Sequence, residues 1–149
     1  MGFLEELRGK TVYLDTAPII YYVERGYPVY KKLLDPFFTM VIHDECSIIT
    51  STMSILEALV VPVRKNAIEM LRVFHEFFYQ TPLKTIAFNE QIAEKATFLR
   101  ASHTISTPDA VQIATAISPG ASVFLTNDIQ LASIPDISVL VLDKFKTDS

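Results

Sequence analysis

The chain has 149 residues, a formal net charge of −4 and a hydrophobic content of 50%. This composition excludes a disordered or collagen-like chain, and the length suits one domain, which we place at residues 1–149. The longest apolar run, 19–23, is far shorter than the roughly 20 residues of a membrane-spanning helix. The lone Cys46 excludes an intrachain disulfide, and no secretion signal is recognisable at the N-terminus. We therefore expect a cytoplasmic protein.

The first two predicted strands each lead into a helix. Residues 10–14 are rich in β-branched side chains, and the Asp-Thr-Ala-Pro segment at 15–18 has the composition of a helix start before the apolar stretch 19–23. The same order recurs at 47–50, which precedes a helical stretch at 52–60. Strands that alternate with helices indicate parallel pairing, because parallel neighbours need a long crossover connection.

Three amphipathic helices are predicted in the second half of the chain. Apolar residues at three- and four-residue spacing indicate one helix over 64–79, a second over 89–101 and a third over 107–117. A strand at 122–125 and a last strand at 139–142 follow. We predict an α/β fold, a three-layer α/β/α sandwich with a central, mostly parallel sheet.

Four acidic residues fall at junctions between these elements or on a helix that follows a strand: Asp15, Glu57, Asp109 and Asp128. In open parallel sheets such positions gather beyond the carboxyl ends of the strands. Each acid also has a local interpretation as a cap or turn residue, and Glu57 follows Ser54 at the spacing of a capping box. Taken together, crowded carboxylates repel one another unless a cation lies between them, and Mg²⁺ and Mn²⁺ prefer carboxylate oxygen. The sequence therefore predicts a divalent metal site.

The segments around these acids match four motifs of a known family. Residues 12–16 read Val-Tyr-Leu-Asp-Thr, and the helical Glu at 57 is preceded by Ser and Thr within 51–59. Residues 107–116 read Thr-Pro-Asp-Ala-Val-Gln-Ile-Ala-Thr-Ala, and residues 124–128 read Phe-Leu-Thr-Asn-Asp. This pattern resembles the PIN-domain family, most closely its VapC-type toxins from prokaryotic toxin–antitoxin pairs. Position 112, where many members have His, is Gln here, which removes one contact to the site but none of the acids.

The resemblance implies a metal-dependent endoribonuclease that uses Mg²⁺ or Mn²⁺. It implies that Asp15 and Asp109 are the primary metal ligands, and that Glu57 and Asp128 complete the catalytic site directly or through water. Two polar residues of the last motif would support the loop, Thr126 and Asn127; a plain turn role is the alternative for Asn127. The resemblance also implies an RNA substrate, a cognate antitoxin protein and a homodimer.

An acidic chain does not exclude RNA, because the four acids together equal the net charge of −4 and leave the remainder neutral. The residues that we consider for phosphate contacts are Lys31, Lys32, Arg64, Lys65, Arg72 and Arg100. Their alternative role is that of a solvated helix surface.

The apolar stripe of the helix predicted at 64–79 is wider than one sheet contact requires, which favours a partner on that face. The family resemblance implies homodimerisation together with capture of an amphipathic antitoxin segment in a groove between N-terminal helices, and the stripe permits both; a large core that buries the whole stripe is the alternative.

Two other functions stay open. One is a catalytically silent PIN-like module that binds RNA or protein. The other is a haloacid-dehalogenase-like phosphatase, whose chemistry needs a second Asp two residues after the first, where this chain has Ala17.

Overall fold

The computed structural model describes residues 2–147. Its helices and strands follow in chain order as α1 (Phe3–Leu7), β1 (Thr11–Leu14), α2 (Thr16–Val23), α3 (Pro28–Ile42), β2 (Ser47–Ser51), α4 (Thr52–Arg64), α5 (Ile68–Gln80), β3 (Lys84–Ile86), α6 (Glu90–Ser102), α7 (Thr107–Ile117), β4 (Val123–Thr126) and β5 (Ser138–Val141). Short 3-10 helices lie at Ile129–Ser133 and Leu142–Lys144. Within the described range, no helix is long and apolar enough to cross a membrane.

The five strands form one parallel sheet in the order β3-β2-β1-β4-β5. The central strand β1 sends Val12 and Leu14 into one hydrophobic core and Tyr13 into the other. Both faces of the sheet are therefore covered, which is why β1, β4 and β5 are almost entirely apolar.

The two cores lie between the sheet and two helical layers. Helices α1 to α5 pack on one face, with Ile19, Phe37 and Phe74 among their fully buried side chains. Helices α6 and α7 cover the other face with residues such as Ile92 and Ile113. The predicted three-layer sandwich is thereby confirmed, and every observed strand pair is parallel.

The helix predicted at 64–79 is in fact separated from the preceding one by a break. Helix α4 continues to Arg64, beyond the predicted end at 60, and α5 begins only at Ile68. Asn66 between them has a φ of 51°, in the left-handed region that ends a helix and that Asn tolerates better than most residues.

Three elements were not predicted from the sequence: α1, α3 and β3. Helix α3 begins at Pro28, which suits a first helical position, but it also contains Pro36, a residue that usually interrupts a helix. Strand β3 has only three residues and lies at the edge of the sheet, so it shows little hydrophobic alternation. Short or proline-containing elements give weak periodic signals.

The sheet creates a crevice where its strand order reverses. Connections run from β1 to β2 on one side, whereas β4 and β5 lie on the other side of β1. In such sheets, ligands bind beyond the carboxyl ends of the strands at this reversal. Asp15 follows β1 at this point, and Asn127 and Asp128 follow β4.

Candidate active site

Asp15 is held at the start of α2 by two hydrogen bonds. Its Oδ1 accepts from the backbone N–H of Thr16 at 2.8 Å, and its Oδ2 accepts from Thr126 Oγ1 at 2.7 Å. Burial, together with the negative charges of Asp109 and Glu57, raises the pKa of Asp15 to about 6 despite the lowering effect of these bonds. Within residues 2–147, the charged groups that raise this pKa are both carboxylates. Asp15 is therefore influenced mainly by other negative charges.

Glu57 projects from the second turn of α4, a helix that follows β2 with no connecting residue. Its Oε1 accepts from Thr16 Oγ1 at 2.8 Å and from Gln112 Nε2 at 2.9 Å. The capping-box interpretation is wrong, because Ser51 caps α4 and Ser54 is buried in a polar cluster behind Glu57. Glu57 is thus fixed by residues from α2 and α7.

Asp109 lies in the first turn of α7. Its backbone N–H donates to the side chain of the capping residue Ser106 at 3.2 Å. Burial raises the pKa of the half-buried Asp109 carboxyl, and Asp128 and Glu57 raise it further by their charge. Asp109 is therefore influenced by the charges of both Asp128 and Glu57.

Asp128 follows β4 and caps the 3-10 helix at Ile129–Ser133. Its Oδ1 accepts from the N–H of Gln130 at 3.0 Å, and its own N–H donates to Thr126 Oγ1 at 3.1 Å. The local turn interpretation of Asp128 is therefore realised in the structure, alongside its coupling to Asp109. Thr126 joins Asp128 to Asp15, because its hydroxyl accepts from one and donates to the other.

Asn127 ties the loop after β4 to three other segments. Its Nδ2 donates to Tyr21 Oη at 3.3 Å and to Tyr30 Oη at 3.2 Å, and its Oδ1 accepts from the N–H of Asp143 at 2.9 Å. These contacts lie behind the loop and give Asn127 a role in its anchoring.

The four acids are close enough to influence one another but do not form a closed cage. Among residues 2–147, no three His, Cys, Asp or Glu side chains are grouped so that they could jointly hold a metal ion. The donor chemistry nevertheless suits Mg²⁺ or Mn²⁺, since these ions are bound in proteins by one or two carboxylates together with water and substrate phosphate. The arrangement fits a metal that keeps part of its water shell.

Sequence reasoning did not identify the side chains that hold Glu57. Gln112 is 1% exposed and lies in the middle of α7 among buried apolar residues. Its amide contacts Tyr13, Thr16, Ser54 and Glu57. The available signal was its position three residues after Asp109, which places both on one face of the helix.

The basic residues considered for RNA contacts are spread over several helices. Lys31 pairs with Asp35 at 3.5 Å on α3, and Lys32 is exposed beside it. Arg64 and Lys65 lie about two turns beyond Glu57 along α4.

Two further arginines differ in what surrounds them. Arg72 is paired with Glu69 and Glu76 on α5. Arg100 lines an open pocket of about 450 Å³ together with Ser106 and Asp109. Arg100 thus lines the same pocket as one of the four acids.

Three solved structures have a similar fold. In the VapBC2 complex of Rickettsia felis bound to a DNA fragment from its promoter, one chain is 18% identical with a TM-score of 0.70, covering 88% of this chain and 98% of that one. A toxin–antitoxin complex from Klebsiella pneumoniae gives 20% identity, a TM-score of 0.64, and coverage of 88% and 97%. VapC20 of Mycobacterium tuberculosis, a sarcin–ricin loop cleaving toxin, is 14% identical with a TM-score of 0.59. The alignment covers 76% of this chain and 86% of that one.

The sequence itself matches a family model. The PIN-domain model aligns with residues 12–137, a range that contains all four acids. No curated protein matches the chain at the threshold applied. The match spans most of the chain and agrees with the four sequence motifs, so this chain belongs to the PIN-domain family.

Proposed function

We propose that the protein is an endoribonuclease dependent on Mg²⁺ or Mn²⁺, and the toxin of a type II toxin–antitoxin pair. The observation that supports this most directly is the group of carboxylates beyond the strand ends, where the charges of Asp109 and Glu57 raise the pKa of the already buried Asp15. A divalent ion would relieve this repulsion and bring the RNA phosphate to the site.

Asp15 and Asp109 would hold the ion, and Glu57 and Asp128 would complete its surroundings directly or through water. The bound ion would lower the pKa of the attacking water and neutralise charge on the scissile phosphate. Glu57 accepts its two hydrogen bonds at Oε1, so Oε2 is the atom that would receive the proton of the attacking water. We expect products with 5′-phosphate and 3′-hydroxyl ends.

RNA would approach the acids over the pocket that contains Arg100. The Arg100 guanidinium donates to the carbonyl of Ile105 and lines the pocket that Asp109 also lines. A phosphate bound there would be adjacent to the metal ligands. The cations at Lys31, Lys32, Arg64 and Lys65 would make more peripheral contacts.

A protein partner is proposed because two of the similar structures are toxin–antitoxin complexes. An apolar cavity of about 170 Å³ between α2, α3 and α5 is lined by Tyr22, Phe38, Ile42 and Phe77, among others. It would receive an apolar side chain of an amphipathic antitoxin segment. Cytoplasmic localisation stays a prediction.

Homodimerisation would use a different surface from the one expected. Of the predicted stripe, Phe74, Phe77 and Phe78 are buried in the core and the residues at 67, 70, 71 and 73 are partly buried, whereas other apolar side chains on α4 and at the start of α5 are exposed. The exposed residues are Leu56, Val60, Val61, Val63 and Ile68. Burial of this patch against a second copy would remove it from water.

The test is incubation of the purified protein with structured and unstructured RNA, with Mg²⁺, with Mn²⁺ or with chelator. We expect cleavage only when a divalent ion is present, and 5′-phosphate on the downstream fragment. Cleavage that persists in chelator would contradict the metal mechanism. Release of inorganic phosphate from a small ester, without RNA cleavage, would indicate the phosphatase instead.

A catalytically silent binding module is the second candidate function, because no three acids are grouped as a metal cage within the described residues. It would retain RNA or a protein partner without cutting. RNA binding with no new ends at any concentration of Mn²⁺ would favour it.

A further inference from the structure

A buried polar cluster lies behind Glu57, on the side away from the crevice. At its centre is the Gln112 side chain, 1% exposed and flanked along α7 by the buried Val111 and Ile113. Burial of an amide is unfavourable unless its polar atoms are hydrogen-bonded. In the described part of the chain, no buried side-chain nitrogen or oxygen lacks a partner. The Gln112 amide is therefore fully hydrogen-bonded in its apolar surroundings.

The contacts determine which way the amide faces. Tyr13 Oη donates to Gln112 Oε1, and the Tyr13 ring is held by stacking on Phe124 at 5.1 Å. The Tyr13 hydroxyl is the donor in this contact. Carboxylate oxygens accept hydrogen bonds, so the amide turns Nε2 toward Glu57. Both ends of the amide therefore require the same orientation.

The result is a chain of donors that ends on one oxygen of Glu57. Gln112 Nε2 donates to Glu57 Oε1 at 2.9 Å, and Thr16 Oγ1 donates to the same atom at 2.8 Å. With Oε1 held from α2 and from α7, rotation of the carboxylate is restricted. Because Gln112 is buried, it acts on the crevice through Glu57 and through Thr16, whose hydroxyl also holds Glu57.

We infer that Gln112 is a positioning residue for the reaction, which fixes the Glu57 carboxylate toward the metal and the scissile phosphate, and that Tyr13 fixes the Gln112 amide. This inference rests on the proposed function. The sequence predicts only that Gln112 removes a contact to the site. In the structure it makes a different contact, to the Glu57 carboxylate.

The main test variant is Gln112→Met, which keeps the length and approximate volume of the side chain but removes the amide. We expect kcat for RNA cleavage and the affinity for Mn²⁺ measured by calorimetry to fall about 10- to 100-fold, as for other partners of metal-binding groups. KM for RNA should stay within about twofold, because a buried residue contributes nothing to uniform substrate binding.

Two further variants separate positioning from simple packing. Thr115→Val is the matched control, since the Thr115 hydroxyl is also buried on α7 but donates only to the Val111 carbonyl. It should leave Mn²⁺ affinity and kcat at wild-type values. Tyr13→Phe keeps the stacked ring and removes the hydroxyl, and we expect a loss of about three- to tenfold in the same direction, the effect of one hydrogen bond. Tyr13→Phe carries the test if Gln112→Met does not fold.

Wild-type values of kcat and Mn²⁺ affinity in both Gln112→Met and Tyr13→Phe would overturn the inference. An equal loss in Thr115→Val would also overturn it, since the effect would then be one of packing. If the wild-type protein neither cleaves RNA nor binds Mn²⁺, the proposed function fails separately. Crystal structures then decide the inference: a reoriented Glu57 in Gln112→Met supports it, and an unchanged Glu57 overturns it.

Discussion

Glu57 and Asp128 occupy opposite sides of the same crevice and are held in different ways. The bonds on Glu57 come from Thr16 and Gln112, which are 41 and 55 residues away in sequence. The bond on the Asp128 carboxylate comes from Gln130, two residues away. One acid depends on the assembly of three helices, and the other depends on a local turn.

Because of this difference, substitutions elsewhere in the fold should affect the position of the two carboxylates unequally. A side chain fixed by distant buried groups is accurately placed, but it loses that position when any of those groups is changed. A side chain fixed by a turn tolerates distant changes and has more freedom at the surface. We therefore expect the position of the Glu57 carboxylate to be fixed by the fold and the position of the Asp128 carboxylate to vary more.

The largest effect is expected where the two sides meet, at Asp109. Asp109→Asn removes the charge that is coupled to both Glu57 and Asp128 while the Ser106 cap is kept. RNA cleavage should fall at least about 1,000-fold, because the variant loses a primary metal ligand. The check is a cleavage time course in Mn²⁺, with circular dichroism as the control for folding. Retention of near-wild-type cleavage would contradict the assignment.

The next largest effect concerns the stability of the metal-free protein. Burial, followed by the charges of Asp109 and Glu57, raises the pKa of Asp15 to about 6 from 3.8, so protonation of Asp15 stabilises the folded state. This contribution is complete below about pH 4 and is lost as the pH rises through 6. Between pH 4.5 and 7, wild type should lose about 2 kcal/mol of unfolding free energy relative to Asp15→Asn. Urea titrations in chelator measure this difference; parallel pH profiles would refute it.

A smaller effect sharpens the contrast between the two sides. Thr16→Val removes one donor from Glu57 and should lower kcat about tenfold, in line with the loss of a charge-assisted hydrogen bond.

Asp128→Asn keeps an oxygen for the Gln130 N–H and should leave the unfolding free energy within about 0.5 kcal/mol of wild type. Calorimetry and single-turnover cleavage measure both. A larger loss of stability in Asp128→Asn than in Thr16→Val would reverse the contrast.

The smallest effect is expected for surface cations. Arg100→Ala should raise KM for RNA about threefold, because Arg100 lines the pocket that contains Asp109. Lys65→Ala, at the exposed end of α4, is the matched control and should change KM less. Filter binding over a salt series measures both, and equal effects would remove Arg100 from the substrate path.

The parts of the fold with strong local patterns could be predicted from the sequence. Strands β1 and β4 are short apolar runs followed by polar residues, and the acids at Asp15 and Asp128 follow from that pattern. The break at Asn66 could not be predicted, because apolar spacing continues across it and the decisive feature is one backbone torsion angle. Helix α3 was hidden by its internal Pro36.

The contacts around the acids could not be predicted from the sequence, for a different reason. The bond from Tyr13 to Gln112 joins residues 99 positions apart, and no local pattern records such a pairing. The positions of the acids in the fold could thus be predicted from residue types at element junctions, whereas the arrangement that fixes Glu57 required the tertiary structure.

The direct passage from β2 into α4 bears on how sequences of this kind can diverge in length. An insertion between Ser51 and Thr52 would turn the helix by about 100° per added residue and swing Glu57 out of the crevice. The segments at 65–67 and 118–122 impose no such rotation on an acid. Natural indels and engineered tags should therefore be tolerated at those two turns and selected against at the β2–α4 joint.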